Sequence, residues 1–235
     1  MRHFASSAVV SAAALLSITP ARAELVQFLG YSHGSVGVTF DIAGPQPTSG
    51  STGAGGFLTM VNGMGPVFTT YCIDLYQYIA FNQPPYADYT EVPAAAHVFR
   101  NPAAAADLAR LYSSGHVVDS AVTEAAFQLA VWEIAYEASG TYKLDDGDAK
   151  FSGGGADALA ALALASDWVG HLAGGKSSYS VRVLESGSYQ DEVFATAVPE
   201  PGSLALVIAA LGAAGAATRL RRGDRVRPGD APAGA

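Results

Sequence analysis

The sequence is poor in cysteine and in charged side chains. It contains one cysteine in 235 residues, so it cannot form an intrachain disulfide or a four-cysteine zinc site. Charged residues make up 14% of the chain, against about 25% in an average soluble domain. Because 50% of the residues are hydrophobic, a disordered acidic protein is also excluded.

Basic residues are scarcest in the part of the chain that we expect to fold. Residues 24–199 hold 6 of the 13 lysines and arginines but 18 of the 21 acidic residues, which gives them a net charge of −12. Such a body repels phosphate backbones, so we expect no nucleic-acid partner. Its 176 residues are enough for one domain with a sizeable core.

The first 23 residues have the three parts of a secretory signal peptide. Arg2 supplies the positive start, residues 8–18 form an apolar stretch, and residues 21–23 form an A-x-A cleavage site. We therefore predict a signal helix over residues 1–23 that signal peptidase removes. The mature chain would then begin near Glu24 and lie outside the cytoplasm.

The C-terminal segment, residues 198–235, combines a short motif, an apolar run and a basic tail. The motif is Pro199, Glu200 and Pro201. The run over residues 201–218 is at the lower length limit for a single transmembrane helix. The basic tail, residues 219–235, begins with the arginines Arg219, Arg221 and Arg222, a basic stop-transfer signal that would stay cytoplasmic. In this order the elements resemble the PEP-CTERM sorting signal of Gram-negative bacteria.

This resemblance implies an address and partners. An exosortase would recognise the Pro-Glu-Pro motif and process the protein on its way to the cell surface or an exopolysaccharide matrix. Before processing, the C-terminal helix would anchor the chain in the inner membrane with the folded body outside. An ordinary single-span anchor with a chance Pro-Glu-Pro would give the same topology.

The body, residues 24–197, predicts an α+β fold: a β-sandwich with a helical insertion. Residues rich in β-branched and aromatic side chains predict strands over 25–29, 36–42, 57–61, 66–75, 179–185 and 192–197. Proline and glycine predict loops over 44–56 and 82–93. Helices are predicted over 102–112, from Asp119 or Ser120 to about residue 138, and over 156–172.

Several patterns suggest chemistry only weakly. The G-x-S-x-G match at residues 30–34 leads into a strand, so we interpret it as a hairpin turn rather than a nucleophile elbow. The histidines lack metal-ligand spacing, and the turn over residues 143–148 lacks the pattern of an EF-hand, although a loose calcium site stays an alternative. We expect no cofactor, no metal and no enzyme. A secreted enzyme using Asp145, Asp146 and Asp148 is the least favoured class.

Two short motifs draw attention to Cys72 and Gln128. Cys72 lies between Tyr71 and Ile73 on a predicted strand, and Gln128 begins the sequence Gln-Leu-Ala-Val-Trp on the second predicted helix. The core-facing stripe of that helix is predicted at Phe127, Val131, Ile134 and Ala138. Gln128 and Trp132 border this stripe, four residues apart. Burying an amide without partners costs roughly 1–3 kcal/mol, so this glutamine needs an explanation.

The two motifs resemble those of the thioester domains of bacterial surface adhesins. There a cysteine in an aromatic-Cys-aliphatic strand motif pairs with a glutamine in a Gln-x-Ala-aliphatic-Trp helix motif, on a β-sandwich with a helical insertion. The resemblance implies an internal thioester between Cys72 and Gln128, shielded from water by Tyr71 and Trp132. An amine on a surface or matrix target would attack the acyl carbon and form a covalent amide.

Alternatives to the covalent adhesin stay open at this point. A passive structural matrix or surface protein could keep the same fold without the bond, and the cysteine could simply be buried in an unrelated body. The sequence does not identify the group that activates Cys72, for which Asp74 and His116 are candidates.

Overall fold

The computed structural model describes residues 23–63, 65–172 and 177–198, together with residues 208, 210 and 211. Within these ranges the chain forms nine strands, three α-helices and one short 3-10 helix at Ala94–Ala96. The strands are β1 (Ala23–Tyr31), β2 (Val36–Ile42), β3 (Thr48–Ala54), β4 (Phe57–Val61), β5 (Phe68–Cys72), β6 (Tyr86–Pro93), β7 (Ala149–Ser152), β8 (Tyr179–Ser186) and β9 (Glu192–Ala197). The α-helices are α1 (Ala104–Ser113), α2 (Ala121–Tyr136) and α3 (Ala156–Gly170).

Six strands close into an antiparallel barrel in the order β1-β4-β5-β9-β8-β6, and β3-β2-β7 form a separate sheet. The predicted mixture of strands and helices, with the helices in the middle of the chain, is confirmed. The predicted sandwich is not what the strands form, because β6 pairs with both β1 and β8 and closes the larger sheet. The predicted hairpin at residues 30–34 is also wrong, since β1 and β2 belong to different sheets.

Three strands were not predicted: β3, β6 and β7. The strand β3 lies in the predicted loop 44–56, yet each of its residues pairs with β2, from Val36↔Ala54 to Ile42↔Thr48. Glycine permits close packing there, because a Cβ on Gly53 would lie 2.6 Å from the Tyr31 hydroxyl. The strand β6 follows two prolines in the predicted loop 82–93, and its fully buried Tyr89 packs against barrel residues.

The helix α2 is buried on all sides. Ser120 is its N-cap, with a reciprocal capping box to Thr123, which settles the predicted choice between Asp119 and Ser120. Every residue from Glu124 to Tyr136 is buried, so the predicted apolar stripe does not distinguish one face of the helix from another. The predicted stripe also wrongly included Ala138, because the helix ends at Tyr136.

The predicted terminal helices fall almost wholly outside the described residues. Ala23, the last residue of the predicted signal helix, begins β1, and only residues 208, 210 and 211 of the predicted span 201–218 are described. Among the described residues, no helix combines the length and the apolar composition needed to cross a bilayer. The signal helix, the membrane helix and the domain limits 24–197 stay predictions.

Candidate functional site

One face of α2 lies along β5 and the residues that follow it. The face consists of side chains four residues apart, which share one side of a helix: Glu124, Gln128, Trp132 and Tyr136. Glu124 accepts a hydrogen bond from the Tyr71 hydroxyl at 2.7 Å, and the Tyr136 hydroxyl accepts one from the Leu75 N–H at 2.8 Å. Gln128 and Trp132 contact Cys72, so the helix brings both predicted motifs together.

Gln128 pairs with the backbone of Cys72 through both ends of its side-chain amide. The Cys72 N–H donates to Oε1 at 2.9 Å, and Nε2 donates to the Cys72 carbonyl at 2.8 Å. Ile73 donates to the Asp191 carbonyl on the β9 side, so by antiparallel alternation Cys72 directs its own backbone groups away from β9. Gln128 therefore occupies the position of a neighbouring strand, and its buried amide has its partners.

The Cys72 thiol lies in the same dry region. Its sulfur accepts a hydrogen bond from Nε1 of Trp132 at 3.4 Å, and the thiol donates to the backbone carbonyl of Asp74 at 3.1 Å. Cys72 and Gln128 are both 0% exposed. Burial raises the pKa of the thiol well above its usual value. At neutral pH the sulfur therefore carries its proton.

The two predicted shielding residues lie on different faces of β5. Trp132 contacts the sulfur directly and stacks on Phe151, with ring centroids 5.9 Å apart. Tyr71 is adjacent to Cys72 in the strand, so its side chain points to the opposite face, where its ring centroid lies 4.6 Å from that of Phe127. Trp132 covers the sulfur, whereas Tyr71 covers the reverse side of the strand. Their role as shields stays a prediction.

A buried carboxylate on the Tyr71 side was missed by the sequence analysis. Glu124 accepts hydrogen bonds from the Tyr71 hydroxyl, from the Gly56 N–H at 3.1 Å and, through its other oxygen, pairs with Nδ1 of His33 at 2.9 Å. A Cβ on Gly56 would overlap this carboxylate, so position 56 requires glycine. The available signal was a glutamate one helical turn before Gln128 on a mostly apolar helix.

A second missed carboxyl lies on the Cys72 side. Glu192, the first residue of β9, pairs across the strands with Cys72 and is 0% exposed. Its Oε2 accepts a hydrogen bond from the Thr70 hydroxyl at 3.1 Å, whereas Oε1 has no hydrogen-bond partner among the described residues. Burial raises the pKa of Glu192 well above its usual value. Only the β5–β9 pairing reveals this neighbour, and no local pattern in the sequence does.

The other candidates lie elsewhere or are otherwise engaged. The Asp74 carboxylate accepts a hydrogen bond from the Tyr76 N–H at 2.8 Å, and only its backbone carbonyl contacts the thiol. His116 stacks on Trp168, with ring centroids 4.2 Å apart. In the acidic turn, Asp148 forms an ion pair with Arg100 at 2.9 Å. Within the described part of the chain, no group of three or more potential ligands is placed to hold a metal ion.

A cleft of about 440 Å³ is lined by residues that follow the site residues in the chain. Its lining includes Ile73 and Asp74, directly after Cys72, and Tyr136, one helical turn after Trp132, but not Cys72 or Gln128 themselves. Its polar lining includes Asp74, His97, Arg100 and Asp191. Burial raises the pKa of Asp191 to about 6, so this carboxylate is still mostly ionised at neutral pH.

Comparison with protein families gives one match, which lies in the C-terminal segment. Residues 197–222 match the model of the PEP-CTERM protein-sorting motif. The match contains the predicted Pro199-Glu200-Pro201 motif and the arginines up to Arg222, all outside the described residues. The predicted sorting signal is thereby confirmed. A search of curated proteins gave no match.

Two solved structures resemble the body weakly. The N-terminal thioester domain of a surface protein from Clostridium perfringens, a cysteine-to-alanine mutant, aligns at 10% identity and a TM-score of 0.41, covering 68% of this chain and 99% of that one. The N-terminal domain of the Streptococcus pyogenes pilus tip adhesin Cpa aligns at 13% identity and a TM-score of 0.42, covering 73% of this chain and 100% of that one. At such low values, neither likeness assigns a function to this chain.

Proposed function

This chain carries a PEP-CTERM protein-sorting motif, which marks it for export to the cell surface through an exosortase, and we propose that its body is a covalent adhesin. The reactive group is an internal thioester between Cys72 and Gln128. The observation that supports this most directly is the placement of the Gln128 carboxamide on the backbone of Cys72, in the same dry region as the thiol.

The atoms of the thioester bond come from the two side chains alone. The Cys72 sulfur attacks the Gln128 side-chain carbonyl carbon, the carbon–nitrogen bond breaks, and the nitrogen leaves as ammonia with the thiol proton. A primary amine on a target then attacks the acyl carbon. The carbon–sulfur bond breaks, Cys72 regains a proton, and an amide links Gln128 to the target. Each molecule reacts once, so the protein is not an enzyme with turnover.

The surroundings of the pair suit a bond that must survive until a target arrives. Both residues are fully buried, and excluding water slows hydrolysis. We infer that a target amine approaches through the cleft lined by Ile73 and Tyr136, whose carboxylates Asp74 and Asp191 attract a protonated amine. The Arg100 guanidinium in the same lining is paired with Asp148. The net charge of −12 on residues 24–199 acts in the same direction at longer range.

The first test is labelling of the exported protein with methylamine. The proposal expects methylamine to be incorporated at Gln128, and the Cys72 thiol to become reactive to alkylating reagents only after that treatment. Cys72→Ala is the control and should incorporate none. If Cys72 of the untreated wild type is alkylated once the chain is unfolded, and Gln128 takes up no methylamine in the folded protein, the covalent mechanism is wrong.

The second candidate function is a passive structural component of the surface or matrix, with the same fold and no thioester. The observation that favours it is that the oxygen and the nitrogen of the Gln128 amide and the thiol each have a hydrogen-bond partner, which stabilises the unreacted pair. The methylamine test separates the two candidates, because a passive protein incorporates no label in either the wild type or the variant.

A further inference from the structure

Glu192 is placed next to the reacting thiol by the register of the barrel. The pairs Tyr71↔Val193 and Cys72↔Glu192 define the β5–β9 register, and the Ile73 N–H donates to the Asp191 carbonyl. Cys72 and Glu192 are therefore a non-hydrogen-bonded pair, in which side chains on the same face lie closest. Directly opposite Cβ atoms are about 4.5–5.5 Å apart, within reach of a glutamate carboxyl.

The carboxyl of Glu192 is not explained by its structural contacts. One oxygen accepts a hydrogen bond from Thr70, whose hydroxyl also meets that of Thr59 at 2.8 Å. The other oxygen is buried and has no partner within the described ranges. Leaving a buried polar atom unpaired destabilises the fold, and such exceptions call for a specific explanation. An apolar residue at this position would avoid the destabilisation caused by the unpaired oxygen.

We propose that Glu192 transfers the proton of the Cys72 thiol to the departing nitrogen of Gln128 when the thioester forms, an inference that rests on the proposed function above. One carboxyl oxygen accepts the proton from sulfur as sulfur attacks the carbonyl carbon. The other oxygen gives its proton to the nitrogen, which leaves as ammonia as the carbon–nitrogen bond breaks. Glu192 ends as it began, a neutral acid, so atoms and charge balance.

A neutral carboxyl suits a dry site because it can accept and donate a proton without creating a separated ion pair. The charged form of an unpaired carboxyl is costly in such surroundings. Burial favours the protonated form of Glu192 by raising its pKa. Burial also keeps the Cys72 thiol protonated, so its proton has to leave as the sulfur attacks. The two oxygens of Glu192 would carry that proton transfer, one accepting a proton while the other donates one.

Other acids near Cys72 are less suited to this role. The Asp74 carboxylate is bonded to the Tyr76 N–H, and the Tyr136 hydroxyl accepts from the Leu75 N–H. Glu124 lies on the opposite face of β5 with both oxygens hydrogen-bonded. Glu192 is thus the acid on the thiol side whose second oxygen is buried and has no hydrogen-bond partner among the described residues.

The test compares Glu192→Gln, Glu192→Asp and a matched control, Glu133→Gln. The readout is the fraction of exported chains that have lost one ammonia, followed by intact mass over time. Glutamine keeps the size of Glu192 and can still accept from Thr70, but it cannot relay the proton. Glu133 is also 0% exposed and has one unpartnered oxygen among the described residues, but it lies on α2 with its other oxygen bonded to the Lys143 N–H.

The proposal expects thioester formation in Glu192→Gln to be slower by roughly a hundredfold or more, the lower end of the range for proton-transfer catalysis. Glu133→Gln should behave like the wild type. Glu192→Asp should lie between the wild type and Glu192→Gln. If Glu192 has a purely structural role, Glu192→Gln should form the thioester faster than Glu192→Asp, because glutamine preserves packing better than aspartate. That result overturns the inference even if both variants are less stable. Equal rates in Glu192→Gln and the wild type also overturn it, but leave the proposed function intact. No ammonia loss in the wild type overturns both.

Discussion

Glu124 and Glu192 lie on opposite faces of β5, and they differ in how far their carboxyl groups are satisfied. Both are at most 2% exposed. Glu124 has hydrogen-bond partners on both oxygens, from three separate segments of the chain. Glu192 has one, from Thr70. Buried polar groups stabilise a fold when they are fully paired and destabilise it when they are not. The comparison supports a structural role for Glu124 and leaves the carboxyl of Glu192 available for the proposed proton transfer.

The largest effect on stability is expected from removing the fully bonded carboxylate. Glu124→Ala leaves the Tyr71 hydroxyl and the Gly56 N–H without their partner and opens a cavity. Leaving a buried donor without its acceptor costs about 1–3 kcal/mol for each group, and the cavity adds to this loss. Urea denaturation, followed by tryptophan fluorescence, would measure the loss. A change below about 1 kcal/mol would contradict the structural role assigned to Glu124.

A smaller effect is expected in the pH dependence of stability, to which the incompletely hydrogen-bonded carboxyl of Glu133 should contribute. Burial raises the pKa of Glu133 to about 8 from a usual value of 4.5. Its folded form therefore binds a proton more tightly than the unfolded chain does, and this contribution is fully present below about pH 4.5 and is lost as the pH rises towards 8.

The measurement is the denaturation midpoint of Cys72→Ala with and without Glu133→Gln, between pH 5 and pH 8, in roughly half-unit steps. The Cys72→Ala background excludes any contribution from a thioester. Relative to the Glu133→Gln variant, the chain with Glu133 should lose stability as the pH rises. Parallel pH profiles for the two proteins would show that Glu133 is not held in its protonated form.

The smallest effect on stability is expected from Glu192→Gln. The substitution keeps the acceptor for Thr70 and replaces one neutral buried group with another, so we expect a change within about 1 kcal/mol. This expectation sharpens the contrast with Glu124, because the residue with the larger effect on thioester formation should have the smaller effect on folding. A loss as large as that of Glu124→Ala, measured in the same Cys72→Ala background, would remove the distinction between the two residues.

The sequence allowed prediction of features that depend on neighbouring residues. The sorting signal is contiguous at residues 197–222, and the start of α2 is defined by Ser120 and its capping box. The strands of the body could not all be predicted from neighbouring residues. The strands β3 and β6 contain the glycines and follow the prolines that normally indicate loops, and they form because β2, β1 and β8 offer partners across the fold.

The candidate site shows the same limit. Cys72, Gln128 and Trp132 were recognisable because each motif is local, and the spacing of Gln128 and Trp132 placed both on one helix face. Their meeting across 56 residues followed from a resemblance rather than from local pattern. Glu192 joins them through strand register over a still longer separation, which a single sequence does not encode in any local motif.

The central claim is that Cys72 and Gln128 form a thioester, and the intact mass of the exported protein under native, non-reducing conditions tests it most directly. The wild type should be lighter than its sequence by one ammonia, and Cys72→Ala should have the mass of its sequence. A wild-type mass equal to that of the sequence, with Cys72 open to alkylation once the chain is unfolded, would contradict the claim and leave a surface protein without the reactive bond.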